Sequence, residues 1–290
     1  MERGQFAASE LLRGSVNDDF MTPEVMQRLS TLARSQLRQL TRVYPALTMH
    51  LAMAVLFLCV ATVFAALTGF VGGLTWILIW PAFSLVIVAY GYLVAGPAVL
   101  GKQADGTLYW PHALLLMPYF SAAECAWYLV RVLGREEPWH EVSRGLYLGR
   151  RVQHWELPAR VGLVLDMTAE FVEPIEVRSG RTYVCVPALD ASVPSVEALV
   201  SGIERVVHFD GNIYVHCAAG HGRSAMAMAV LLVARGIARD LDHAVEMMRS
   251  VRPRVKLRTT QRKVAEAALA RLPVRRSTPD VGAYSGVARA

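Results

Sequence analysis

Lysine is nearly missing from this chain: of 30 basic residues only Lys102, Lys256 and Lys263 are lysines, and the other 27 are arginines. The arginines are spread along most of the polar sequence and form no block, so the net charge of +6 does not indicate a nucleic-acid partner. Cysteine is scarce too. Cys59, Cys125, Cys185 and Cys217 contain no C-x-x-C pair and no metal-ligand spacing, which excludes a disulfide framework and a zinc module and fits reduced thiols facing a cytosol. No metal and no cofactor are expected. An early apolar core followed by a small-residue cleavage site is lacking, so no secretory signal peptide is expected either. Charge is absent altogether from Val43 to Gly101, whereas 54% of the chain is hydrophobic and its mean hydropathy is +0.33. Such a balance is too apolar for a wholly soluble protein and excludes a disordered or fibrous one. What remains is a membrane protein with a soluble part.

What is present divides into five stretches. Residues 1–45 are polar and read as a cytoplasmic amphipathic segment: Thr22-Pro23-Glu24 resembles a helix start, and Arg34, Arg38 and Arg42 fall on one stripe that either rests on anionic headgroups or is simply solvated. Residues 46–101 hold two apolar runs, Ala46 to Phe70 and Leu74 to about Leu100, broken at Val71-Gly72-Gly73. Each is long enough to cross a hydrocarbon core of about 30 Å, with Pro81 a tolerable kink. The expectation is a two-helix transmembrane hairpin; a buried soluble hairpin is the weaker alternative. Arginines before it and Lys102 after it put both ends in the cytoplasm, at an inner or plasma membrane if the source is bacterial. Residues 102–138 read as an interfacial helix, with Tyr109, Trp110, Trp127 and Tyr128 at headgroup depth, and a linker at Arg135 to Pro138. A third crossing over 108–133 stays open, although Pro118 and Glu124 interrupt it.

From 139 to 272 short apolar strands alternate with helical patterns. Leu146 to Leu148, Val161 to Asp166, Thr182 to Ala188 and Asn212 to His216 read as strands. Between the last two, Val196, Leu199, Val200, Ile203, Val206 and Val207 line one face of a helix started by Pro194. This alternation predicts an α/β domain with its site at the carboxyl ends of the strands. Residues 273–290 read as a flexible tail.

One segment carries chemistry. Ile213 to Cys217 is a strand ending in a cysteine, and after Ala218, Ala219, Gly220, His221 and Gly222 the chain enters a helix at Arg223-Ser224. A loop of this length can turn successive backbone N–H groups toward one point, with Gly220 and Gly222 permitting angles that other residues resist. The helix N-terminus adds partial positive charge, Arg223 can fork onto two phosphate oxygens, and the same field favours the thiolate of Cys217. Anion binding and nucleophile activation come from one device.

These residues, His216-Cys217-x5-Arg223-Ser224, resemble the signature of the cysteine-dependent phosphatases. Leu146-Tyr147-Leu148-Gly149 and Arg252-Pro253 are similar to segments of the dual-specificity branch. The resemblance covers about residues 139 to 268 and implies a dual-specificity-phosphatase-like catalytic domain, a central sheet flanked by helices. By that resemblance Cys217 attacks phosphorus to form a phosphocysteine and Arg223 holds the equatorial oxygens; residues 218 to 222 bind phosphate, Ser224 stabilises the departing thiolate, and His216 orients the loop.

Expulsion of an alkoxide needs a proton donor. Asp190, opening the loop after the strand Thr182 to Leu189, is the candidate, although closer to Cys217 than the family usually places it. Asp210 is the rival, and a loop or capping carboxylate the bland reading of Asp190. Cys185 reads as core, with a redox partnership to Cys217 the minor alternative, and Gln261 as a solvated helix-start residue. On the loop only His221 offers a second cation, which argues for a substrate with one phosphate to capture. Residues Leu165 to Phe171 are similar to the acidic-aromatic loop of mitochondrial-type phosphatidylglycerophosphate phosphatases. The expectation is therefore a membrane lipid phosphate, with a phosphoprotein as alternative; a sulfurtransferase and an inactive anchored phosphate-binding module are further alternatives.

Overall fold

The computed structural model describes residues 45–273, so the predicted N-terminal amphipathic helix with its arginine stripe and the predicted flexible tail lie outside the described residues. Helix α1 spans Pro45–Val71 and ends where Gly72 and Gly73, at φ +66° and +59°, turn the chain in a conformation open to glycine. A 3-10 segment, Gly73–Leu78, leads into α2, Ile79–Tyr90. Pro81 stands in the first turn of α2, where the passage from the 3-10 segment takes place and a missing N–H is tolerated. The irregularity comes later, as a widened π turn over Gly91–Ala95 and a 3-10 turn over Gly96–Leu100. By length and composition, Met49–Val71 (23 residues, mean hydropathy 2.5) and Gly73–Leu100 (28 residues, 2.1) suffice to cross a membrane.

Beyond Gly101 come α3, Trp110–Leu115, and α4, Met117–Leu133. Helix α4 packs against α2, and Trp80 Nε1 donates to the Leu115 carbonyl at 3.0 Å. Trp127 does not face outward with Tyr109, Trp110 and Tyr128: it is buried, 6.4 Å from the Phe171 ring and under the Arg151 guanidinium. The planar cation over its face gives it an inward partner that a lipid interface cannot match.

Five strands form one sheet in the order β1-β2-β5-β3-β4, where β1 is Trp139–Ser143, β2 Leu146–Arg150, β3 Val161–Thr168, β4 Thr182–Ala188 and β5 Asn212–Cys217. Only β1 runs antiparallel to its neighbour. Sequence periodicity misses β1, since Trp-His-Glu-Val-Ser lacks a continuous apolar face and is half-exposed at the edge. Strands β3 and β5 are buried on both faces, which explains their nearly unbroken apolar runs. A short helical turn, α5 (Ile175–Arg178), precedes β4. Helix α6, Val196–Val206, is capped by Ser195, whose side chain accepts from the Ala198 N–H, rather than started by Pro194. Helix α7, Arg223–Ala234, is buried along its whole length, and α8 (Leu241–Val251) and α9 (Thr259–Leu269) pack on it.

Strand β5 is inserted between β2 and β3, so its carboxyl end opens into the crevice where a parallel sheet accepts ligands. The apolar hairpin reaches the same end. Ala54, Val88, Tyr92, Leu100, Leu116 and Phe120 share a core with Ala169, just beyond β3, and Leu189, just beyond β4. Polar links reinforce it: His50 Nε2 lies 2.8 Å from Ser192 Oγ, and the Tyr92 hydroxyl donates to the Asp190 carbonyl at 3.1 Å.

Candidate active site

Cys217 ends β5 and Arg223 begins α7, so the five residues between them turn within one strand-to-helix connection. The Gly220 N–H donates to Cys217 Sγ at 3.2 Å, and Ser224 Oγ lies 3.3 Å from the same sulfur, fully buried. Both contacts stabilise negative charge on sulfur. Gly220 is required by its φ of +79° and because a Cβ there would meet the Gly149 carbonyl carbon at 2.5 Å. Gly222 has an ordinary φ of −119°; it is small for another reason, since a Cβ would press to 2.9 Å on Gln261 Nε2.

Arg252, buried behind the loop, donates from Nε to the Gly220 carbonyl at 3.1 Å and from Nη2 to that of Ala219 at 3.2 Å. These bonds hold the loop from behind and satisfy two of its carbonyls, while the Gly220 N–H faces Cys217 Sγ. Its Nη1 also binds the Glu137 carbonyl, so the segment read as a linker is part of the site's support. In that segment Glu136 Oε2 lies 2.7 Å from His221 Nε2. Burial lowers the His221 pKa from its ordinary value, with Glu136 opposing.

A cavity of about 240 Å³ opens over Cys217, lined also by Asp190, Ala219, His221, Gly222 and Arg223 from the expected set and by Ala191, which was not expected. Ala218 lines a neighbouring cavity instead. Lys256, Arg258 and Gln261 complete the first one. Gln261 is buried, not solvated, and its Oε1 accepts from the Arg258 N–H at 3.0 Å. Counting cations on the loop alone therefore misses Lys256 and Arg258, which arrive from the connection between α8 and α9.

Arg223 is 3% exposed, and its guanidinium is heavily engaged. Nη1 donates to Glu170 Oε2 at 2.9 Å and to the Ala188 carbonyl at 2.7 Å; Nη2 donates to Glu170 Oε1 at 2.6 Å and to Asp190 Oδ1 at 3.0 Å. Burial opposes its charge, but Glu170, together with Cys217 and Asp190, more than offsets burial and keeps the group firmly protonated. Glu170 lies in the stretch that sequence resemblance had singled out, but nothing local reveals its role. The Asp190 side chain is 62% exposed, so its bond to Arg223 can open toward the cavity at small cost. Asp210 lines a different cavity with Gly145 and Asn212, at the amino end of β5.

His216 points into a buried polar cluster beneath the loop. Its ring stacks on Tyr214 with centroids 5.6 Å apart, and neither ring nitrogen has a hydrogen-bond partner. Burial lowers its pKa to about 4. Around it, Asp166 Oδ1 is at 3.9 Å and Glu173 Oε1 at 3.8 Å. Burial would raise Asp166, but the Lys102 ammonium bound to it holds the carboxyl far below its usual range. Glu173 is pushed up to about 8 by burial and by the Asp166 charge. Asp166, Glu173 and His216 could together surround a metal ion, their ligand atoms lying within 4.8 Å of one another. Lys102 on Asp166 and Arg151, whose Nε is 3.7 Å from Glu173, already supply positive charge there. Cys185 joins this cluster through the Thr168 carbonyl at 4.0 Å, and burial pushes its thiol up to about 12, which suits a core residue.

Residues 158–237 match a family model described as Tc-R-P, polymorphic toxin system, DSP-PTPase phosphatase. Phosphatidylglycerophosphate phosphatase PTPMT2 of Arabidopsis thaliana is 35% identical over 86 residues, 30% of this chain and 36% of that protein, so the chain spans about a third of that curated relative's length. A solved structure of PTPMT1 in complex with PI(5)P is 20% identical with a TM-score of 0.41, covering 46% of this chain and 96% of that one. Human DUSP28 is 22% identical with a TM-score of 0.38, covering 47% and 95%. By the sequence of its loop and the two sequence matches, the chain is similar to the cysteine-dependent phosphatases and, within them, to the phosphatidylglycerophosphate phosphatases.

Proposed function

We propose that this protein is a membrane-anchored phosphatase that hydrolyses a phosphate monoester through a phosphocysteine intermediate. The observation that carries the reading is Cys217 Sγ, held by the Gly220 N–H and Ser224 Oγ at the base of a cavity that Asp190 and Arg223 also line. The thiolate attacks phosphorus while Arg223 and the loop N–H groups hold the phosphoryl oxygens, and Asp190 gives the leaving oxygen its proton. Water then attacks the phosphocysteine with Asp190 taking its proton back, and Ser224 stabilises the sulfur as it departs. Arg223 must exchange the Asp190 bond for phosphate, which at the same time frees Asp190 to face the leaving group. Catalysis belongs to residues 139–272 in this reading, and the catalytic part faces the cytoplasm.

The substrate is a membrane lipid phosphate. Supporting this, the relative with 35% identity is a phosphatidylglycerophosphate phosphatase, and the apolar hairpin is packed against the loop that carries Asp190. A phosphoprotein substrate is the second reading, favoured by the DSP-PTPase description of the matching family. Phosphate release by the full-length protein in detergent from phospholipid monoesters and from phosphopeptides decides between them. Turnover of phosphopeptides alone would overturn the lipid reading, and thiosulfate turnover without phosphate release would overturn both.

A further inference from the structure

A second cavity, of about 290 Å³, adjoins the one over Cys217, and Asp190 and Ala219 line both. Apart from Asp190 and Glu170, the latter paired with Arg223, its walls are apolar, with Met53, Phe57 and Tyr92 from the hairpin, Tyr119 and Trp127 from α4, and Phe171 from beyond β3. The aromatic rings are packed on one another, Phe57 lying 5.7 Å from Tyr92 and 5.9 Å from Tyr119. Trp127 is buried and its Nε1 has no hydrogen-bond partner in the structure.

We infer that the hairpin is a wall of the substrate site as well as an anchor: this cavity takes the glycerol and the first acyl carbons of a diacyl phospholipid whose terminal phosphate lies over Cys217. The inference rests on the lipid-phosphate reading and adds the residues that would recognise the lipid body. Continuity decides the occupant. A group leaving the phosphate cavity past Asp190 and Ala219 enters a space lined by the apolar hairpin, so the hydrophobic part of the substrate keeps contact with the membrane segment while its phosphate reaches the loop. At the low end of ligand cavities, roughly 300 Å³, the space holds the proximal part of such a lipid and leaves the chain ends in the bilayer. A phosphopeptide would instead have to desolvate its backbone against six apolar or aromatic side chains.

The test uses full-length protein in lipid nanodiscs with two substrates, dioleoyl phosphatidic acid, whose phosphate is carried by the acyl-bearing glycerol itself, and nitrophenyl phosphate. Ala123 lines the cavity, and Ala123→Phe fills it. Lipid kcat/KM is expected to fall by about tenfold or more relative to nitrophenyl phosphate kcat/KM, chiefly through KM, with Ala123→Leu intermediate. Parallel losses on both substrates, or an unchanged lipid KM, would overturn the inference. If Ala123→Phe does not fold, a photoreactive acyl chain on the same lipid, bound to Cys217→Ser, gives the answer. Labelling of Met53, Phe57 or Trp127 supports the cavity, and labelling confined to the outward Leu51, Val55 and Leu58 overturns it. Wild type that hydrolyses nitrophenyl phosphate but no lipid rejects the lipid reading and this inference together; lipid turnover indifferent to both Ala123 variants rejects the inference alone.

Discussion

The Arg223 guanidinium and the Glu170 carboxylate meet in a two-pronged pair, Nη1 to Oε2 at 2.9 Å and Nη2 to Oε1 at 2.6 Å, with both side chains almost wholly buried. Removing one partner strands the other's charge. Glu170→Ala is expected to cost about 3–5 kcal/mol in denaturant unfolding and to depress turnover by loosening Arg223. A loss of about 0.5 kcal/mol, typical of a surface change, would show that the Ala188 carbonyl and Asp190 suffice to hold Arg223.

Cys217→Ser removes the nucleophile without altering the cavity. Turnover is expected to vanish while vanadate or another phosphate analogue still binds, because a serine hydroxyl is a far weaker nucleophile than the sulfur it replaces. Steady-state kinetics within a few fold of wild type would eliminate Cys217 as the attacking group.

Asp190→Asn separates leaving groups. Hydrolysis of an alkyl phosphate should slow by roughly 10² to 10⁴-fold, the usual range for positioned proton transfer, and that of nitrophenyl phosphate far less. Asp210→Asn, altered at the opposite end of β5, should leave that ratio unchanged. An equal loss on both leaving groups would reject Asp190 as the acid.

Stability should depend on pH through Glu173. Its pKa is about 8 in the folded protein, against about 4.5 in an unfolded chain. The unfolded state therefore releases this proton first, and the stability of the neutral buried form is lost as pH rises from about 4.5 through 8. His216, lowered to about 4, acts in the opposite sense below about 6.5, so the clean window lies above that. Between pH 6.5 and 8 the thermal midpoint should fall, by on the order of 2 kcal/mol in stability at about 1.4 kcal/mol per pKa unit. Glu173→Gln should flatten that slope; an unchanged slope would place its cause elsewhere.

Topology is tested by a reporter fused after Ala290. Two crossings with arginine-rich flanks predict cytoplasmic activity. Activity only on the far side would mean that residues 108–133 cross as well.

Chemistry was legible in the sequence where it is local. Cys217, Gly220, Arg223 and Ser224 lie within one short stretch between a strand and a helix, and the hairpin announces itself by an unbroken lack of charge. Four of the five strands were readable from their apolar residues, β3 and β5 because they are buried on both faces and β2 and β4 because one face of each is buried; β1 has no such face.

Other features were decided only by tertiary structure. Glu136, Glu170, Lys256, Arg258 and Gln261 enter the site from segments far apart in the chain, and no local pattern distinguishes a carboxylate that will pair with a buried arginine from one that will meet water. His216, adjacent to the nucleophile in sequence, faces the opposite way because successive strand residues alternate sides. Likewise the sequence by itself determined that an apolar hairpin and an anion-binding loop belong to one chain, since both are properties of contiguous residues. That the hairpin's Met53 and Phe57 border the same cavity as Ala219 was decided by packing alone, because closing a cavity depends on distances between segments that only the folded chain brings together.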